Sequence, residues 1–75
     1  RVVELSKELG QAYDVKDWEQ IHRTAHTIKG SAASFGFPGL TQLGTEVCDA
    51  IDTGQVAEMS VFTQMLIDEL ERVQP

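Results

Sequence analysis

The sequence predicts an all-α protein, folded as an up-down-up-down antiparallel four-helix bundle. Along the 75-residue chain, apolar residues recur at spacings of three and four in separate segments, which is the period of amphipathic helices. The connections between these segments are short, and short connections force neighbouring helices to run antiparallel. The two prolines and the aromatic content of 7% argue against a small β-sandwich or barrel.

The first two helices are separated by a helix-capping signal. The first helix is expected to end at Tyr13-Asp14. Asp17 then fits an N-cap, and Gln20 at the third helical position completes a predicted capping box. The second helix has the longest regular apolar pattern in the chain. The inward residues predicted for these two helices are Val2, Leu5, Leu9 and Ala12, followed by Trp18, Ile21, Ala25, Ile28, Ala32 and Phe35.

A turn cluster, Gly36-Phe37-Pro38-Gly39, is predicted to lead into the third helix. Pro38 suits the first helical position because the N–H that it lacks has no partner there. Gly54 is expected to follow the third helix in a left-handed conformation. Pro75 follows the fourth helix. The inward residues predicted for these two helices are Leu40, Leu43, Val47 and Ile51, followed by Met59, Phe62, Leu66, Leu70 and Val73.

The composition excludes several classes of function. The net charge is −6, so the chain has no basic stripe for nucleic acid, and contact with an anionic membrane surface is disfavoured. The single cysteine, Cys48, excludes an internal disulfide and a cysteine-rich zinc site. A cytoplasmic location fits, since no apolar run approaches the ~20 residues of a membrane span and no signal-peptide pattern is present. We expect residues 1–75 to be one domain excised from a longer protein, because the chain starts at Arg1 inside a periodic segment.

The second helix carries the most informative residues of the chain on its predicted exposed face. At about 100° per residue, Lys29 and Gly30 flank His26, and His22 and Ala33 also lie within about 60° of it. The imidazole is therefore predicted to stand in water beside a positive charge and bare backbone. Gly30 costs ~1 kcal/mol relative to alanine in a helix interior and points away from the inward stripe. We interpret it as a gap that admits a molecule approaching His26.

The same residues allow two other interpretations. His22 and His26 have the i, i+4 spacing of helical zinc sites, but Arg23 would repel a cation and no third ligand is evident, so we expect no metal. A non-catalytic interaction or scaffolding bundle is the main alternative, with His26 incidental and Lys29 a solvated surface charge. Ser34 lies towards His26, and its hydroxyl either reaches that site or bonds back to the helix carbonyls.

The motif around His26 resembles the histidine phosphotransfer (HPt) domains of two-component phosphorelays, and the resemblance covers nearly the whole chain. The Asp17-Trp18 helix start and the leucine-rich third helix are also similar, whereas Cys48 is a mild departure in a region where the family tends to be acidic. The family pattern is a histidine, an apolar residue, Lys-Gly, small residues and an aromatic-glycine turn. It is matched by His26, Ile28, Lys29, Gly30, Ser31, Ala32, Phe35 and Gly36.

The resemblance implies a phosphotransfer intermediate with no ATP-dependent kinase activity of its own. His26 would reversibly accept a phosphoryl group from the aspartyl phosphate of a receiver domain and pass it to another receiver. Lys29, Gly30 and Ser34 would neighbour the phosphate. The expected partners are response-regulator receiver domains and a histidine kinase. The kinase would be in the same polypeptide if this is a hybrid sensor kinase. Such a full-length protein would be compatible with membrane anchoring.

The remaining expectations concern the partner surface and the cofactor. The residues expected to contact the partner surround His26 or follow it at the turn, and they are His22, Arg23, Ala33 and Phe37. We expect no cofactor bound by this domain. The receiver is expected to supply Mg²⁺ and most of the charge stabilisation, because the sequence has no obvious carboxylate cluster for that ion.

Overall fold

The computed structural model describes residues 2–73 of the chain, and side chains from residue 4 onwards. The helices are α1 (Val2–Asp14), α2 (Trp18–Phe35), α3 (Pro38–Asp52) and α4 (Val56–Arg72). Each helix packs against the next along the chain, and α1 also contacts α4, which closes the ring. The predicted all-α four-helix bundle is therefore confirmed. Among the described residues, no helix combines the length and the apolar character needed to cross a membrane.

The corner between α1 and α2 shows the predicted N-cap but only half of the predicted capping box. The Asp17 carboxylate accepts a hydrogen bond from the backbone N–H of Gln20 at 3.2 Å. The Gln20 side chain does not reach back to Asp17, because the Asp17 N–H already donates to the carbonyl of Ala12 at 2.9 Å. Gln20 instead donates to the Thr24 hydroxyl at 3.1 Å, one turn further along α2. The reciprocal half of the box was a wrong prediction.

The turns that bound α3 follow the sequence signals. Gly36 ends α2 in the left-handed region with φ 77°, and the Phe37 N–H donates to the carbonyl of Ala32 at 2.9 Å. Pro38 is the first residue of α3, as predicted. Gly54 has φ 69°, which confirms the predicted left-handed residue just beyond α3. These two positive-φ positions suit glycine because a Cβ would be strained there.

The core draws on all four helices and confirms most of the predicted inward stripes. Phe35 is a correction, since its side chain is 74% exposed. It is the last residue of α2 and stands at the rim of an apolar cleft at this end of the bundle, where Leu5 and Leu70 form part of the lining. The side chain of Val2 and the whole of Pro75 lie outside the described part. The core residues are Leu5, Leu9, Ala12, Ile21, Ala25, Ile28, Ala32, Leu40, Val47, Cys48, Leu66 and Leu70.

Candidate functional site

His26 lies on the exposed face in the middle of α2, as predicted. Its neighbour Ala25 and the next inward residue, Ile28, are buried, whereas His26 and Thr27 are exposed. Within residues 2–73, no side chain forms a hydrogen bond or ion pair with the His26 ring. A neutral imidazole has one ring nitrogen without a proton, so an exposed and unpartnered ring is free to act as a nucleophile.

The residues that flank His26 on this face include two with little or no side chain. Gly30 is exposed, and a Cβ built on it would meet no atom within 4 Å outside its own helix. Packing inside this domain therefore gives no reason for glycine at this position. Ala33, the next small residue along the same face, is also exposed. Together they leave an open approach to the imidazole.

Lys29 lies at the edge of this face, where α2 meets α3. Its side chain is half-buried, and its Cβ packs close to the backbone of Gly44 in α3. The charge of Lys29 also reaches the Cys48 thiol. Burial raises the pKa of that thiol, the carboxylate of Asp52 adds to the rise, and the Lys29 ammonium opposes it. The Lys29 side chain thus starts at the contact between α2 and α3, one turn from His26.

Ser34 forms the local hydrogen bond that the sequence allowed as an alternative. Its hydroxyl donates to the carbonyl of Gly30, one turn earlier, at 3.3 Å. The hydroxyl has a single proton, so Ser34 must rotate before it can donate to a group on His26. A phosphate contact by Ser34 stays a prediction.

The other histidine of α2 is tied to α3. His22 is half-buried, and its Nε2 lies 3.1 Å from Oδ1 of Asp52 at the end of α3. This contact lacks the alignment of a hydrogen bond, and it becomes an ion pair only when the imidazole is protonated. Arg23, in contrast, donates to Glu19 at 2.9 Å on the open surface. An exposed i, i+4 pair of this kind contributes little to stability, so the guanidinium can exchange partners easily.

Phe37 extends the face of His26 towards the turn before α3. Its side chain is 40% exposed. Together with Ala33 and Gln42 it lines a shallow depression between the end of α2 and the start of α3. The predicted partner-contact residues Ala33 and Phe37 therefore share one surface depression. Within residues 2–73, no three His, Cys, Asp or Glu side chains are grouped so as to hold a metal ion.

Sequence analysis missed two features of the site. The contact between His22 and Asp52 joins residues far apart in the sequence, and no local pattern predicts it. The second feature, the close packing at Gly44, does have a signal in the sequence. Gly44 stands between Leu43 and Val47 in the inward stripe of α3, and a buried glycine inside a helix indicates close approach of a neighbouring backbone.

Comparisons with known proteins bear on the whole chain. A family model described as Hpt domain matches residues 2–74. The match includes every helix of the bundle and the complete surface around His26. No curated protein and no solved structure matches the chain.

Proposed function

This chain belongs to the Hpt domain family, whose members carry out histidine phosphotransfer in phosphorelays, and we propose that His26 is its phospho-accepting residue. The observation that supports His26 is the contrast between the two histidines of α2. His26 is exposed, without a partner among the described residues, and next to the open surface at Gly30. His22 is half-buried against α3, with Asp52 at its Nε2.

We propose that the phosphoryl donor is the aspartyl phosphate of a receiver domain and that a second receiver is the acceptor. The unprotonated nitrogen of His26, which we expect to be Nε2 because it extends furthest from the helix, attacks phosphorus in line. A nitrogen–phosphorus bond forms, the bond between phosphorus and the aspartyl oxygen breaks, and the carboxylate leaves. Attack by the carboxylate of the second receiver reverses these bond changes and returns the imidazole.

The neighbours of His26 supply charge and access in this proposal. The Lys29 ammonium would offset negative charge on the phosphoryl group, and a lysine point charge does so without fixing the geometry of the phosphate. Gly30 would let the receiver bring its aspartyl phosphate up to the ring. Ser34 would donate to the phosphate after rotating away from the Gly30 carbonyl.

The receiver would meet the exposed face of α2, with Ala33 and Phe37 as apolar contacts and His22 and Arg23 at the other end of the face. We propose that this domain binds no cofactor, that the receiver holds the Mg²⁺, and that the domain works in the cytoplasm. A histidine kinase, in the same polypeptide or in another, would load the first receiver. The domain itself would not transfer phosphate from ATP.

The test is phosphoryl transfer in a purified system. A panel of receiver domains is phosphorylated with a labelled small phosphodonor, freed from the donor, and mixed with the protein. We expect acid-labile, base-stable label on the wild-type protein. His26→Gln should remove the label, because it removes the nucleophile, and should keep the fold, because the side chain is exposed.

His22→Gln is the matched control, since it makes the same substitution one turn away on the same helix. This variant should still accept label. Label that persists in His26→Gln and disappears in His22→Gln would show that the wrong histidine was assigned. A wild-type protein that takes no label from any receiver would favour the non-catalytic scaffolding bundle.

A further inference from the structure

We propose that Gly44 of α3 is a positioning residue that keeps the Lys29 side chain beside His26. The inference rests on the proposed role of His26, and it extends the site from α2 to the neighbouring helix. Gly44 is buried and carries no side chain, and the three atoms nearest to a Cβ built on it belong to Ala25 and Lys29. It would act only through what it allows Lys29 to do.

The first observation is the close approach of the two helices. A Cβ built on Gly44 would lie 3.1 Å from the carbonyl oxygen of Ala25, 3.1 Å from Cβ of Lys29 and 3.5 Å from Cα of Lys29. Carbon atoms in contact normally stand about 3.5–4.0 Å apart. Ala25 and Lys29 are the two ends of one hydrogen-bonded helical turn, and His26 belongs to that turn. The absence of a side chain at position 44 therefore makes room for the part of α2 that carries the site.

The second observation is the half-buried position of the Lys29 side chain at this contact. Side chains on a helix lean towards its N-terminus, so the stem of Lys29 is directed back along α2 towards the level of His26. The side chain is half-buried. Its charge acts on Cys48, one turn beyond Gly44 in α3, and the Cys48 sulfur in turn lies 3.7 Å from the carbonyl oxygen of His22. The stem therefore starts at the α2–α3 contact where Gly44 leaves room, and its lean directs it back along that contact.

Alanine at position 44 would occupy that space. Lys29 or the backbone of its turn would have to move by a few tenths of an ångström, and the obstructing atoms include a backbone carbonyl rather than the free end of a side chain. The stem of Lys29 would be pushed away from the α2–α3 contact, and its ammonium would move away from the phosphoryl group on His26. The expected loss is the electrostatic contribution of one partly solvated charge.

The test is a double-mutant cycle between Gly44→Ala and Lys29→Ala, measured as the rate of transfer from a phosphorylated receiver and as the lifetime of the phosphohistidine. Gly44→Ala alone should slow transfer or shorten the lifetime by about twofold to fivefold. In the Lys29→Ala background the same substitution should have no further effect, because the charge that it displaces is absent. Alanine at position 29 keeps its Cβ, so the steric contact with position 44 should remain in both backgrounds. Any change that this contact causes in the free energy of unfolding in urea should therefore also be the same in both.

Gly10→Ala is the matched control. It makes the same change inside α1, where an added Cβ meets nothing within 4 Å, and it should leave transfer unchanged. The proposal is overturned if Gly44→Ala transfers at the wild-type rate, or if it causes the same fold-loss with and without Lys29. A wild-type protein that accepts no label would overturn the proposed function, and the role of Gly44 would fall with it. A wild-type protein that accepts label while Gly44→Ala keeps the full rate would overturn the role of Gly44 alone.

A measurement on the wild-type protein keeps the proposal testable if Gly44→Ala does not fold. Nuclear Overhauser contacts should connect the Hα protons of Gly44 with the side-chain methylene protons of Lys29, because the Lys29 side chain starts against the glycine and is proposed to run along it. Absence of these contacts, with both residues assigned, would overturn the proposal.

Discussion

Replacement of Gly30 with leucine should change stability and phosphoryl transfer in opposite directions. Gly30 lies inside α2, and a Cβ at this position would meet nothing within 4 Å, so a larger side chain creates no clash within the domain. Leucine is a better helix former than glycine, and the free energy of unfolding should rise by about 0.5–1 kcal/mol. For a domain of this size, such a gain raises Tm by about 2–8 °C.

Transfer should fall sharply in the same Gly30→Leu variant. The new side chain would stand one turn from His26 on the exposed face and would hold the receiver away from the imidazole. A displacement of about 1 Å from the reactive geometry can cost about 100-fold in rate, and a leucine side chain is longer than that. We therefore expect a loss of about 100-fold or more in the single-turnover transfer rate.

The assay combines urea unfolding, followed by circular dichroism, with single-turnover transfer from a phosphorylated receiver. Gly30→Ala is the matched control, because it gives a similar gain in helix propensity with a much smaller side chain and should retain most of the activity. Wild-type transfer kinetics in folded Gly30→Leu would refute the steric role of Gly30. A clear loss of stability would refute the view that the position is open.

Three further predictions follow from the same surface and its neighbours. Lys29→Ala should slow transfer or shorten the phosphohistidine lifetime several-fold, since one partly solvated charge contributes on the order of 1 kcal/mol; complete loss in the transfer assay would mean that Lys29 does more than offset charge. Cys48 should react slowly with a thiol reagent at mildly alkaline pH, because burial shields it and its raised pKa lowers the thiolate fraction. Urea should restore the reactivity of Cys48, and a native rate close to that of free cysteine would contradict its buried position. Addition of a receiver domain should shift the NMR signals of residues 22–37, and shifts confined to α4 would contradict the docking surface.

The helices and their faces were predictable because they depend on local patterns. The three- and four-residue spacing of apolar side chains identified each stripe, and the left-handed glycines marked the ends of α2 and α3. Phe35 continued the stripe of α2 by spacing alone, yet it is exposed because the helix ends there and its neighbours do not extend over it. The predicted hydrogen bond from the Gln20 side chain back to Asp17 is absent, because the N–H of Asp17 donates to the carbonyl of Ala12. Local rules identify several candidates for a hydrogen bond, and competition with neighbouring backbone groups selects among them.

The candidate site was predictable only where it depends on one helix. Lys29 and Gly30 follow His26 by three and four residues, so the rotation of about 100° per residue along a helix predicts that they lie beside it on the surface of α2. The remaining features of the site depend on contacts between α2 and α3. These features are the approach of Asp52 to His22 and the packing of Lys29 over Gly44. These contacts depend on the register between two helices, which the apolar period fixes only to within a turn.

The glycines inside the helices show why their position, and not their presence, indicates a function. Gly10 and Gly30 are both in helices and both have open space where a Cβ would stand. Each costs about 1 kcal/mol relative to alanine, which is appreciable against the 5–15 kcal/mol that stabilises a typical domain. Openness alone therefore does not separate a tolerated glycine from a functional one. Gly30 is distinguished by its place beside His26, on the side from which a receiver would approach in the proposed function. Gly44 lies against the opposite edge of the same helical turn. There is no open space there, because the backbone of α2 packs directly against the glycine. The turn that carries His26 thus has Gly30 on its solvent side and Gly44 of α3 packed against its other side. Of the two, only Gly30 should tolerate alanine without moving Lys29.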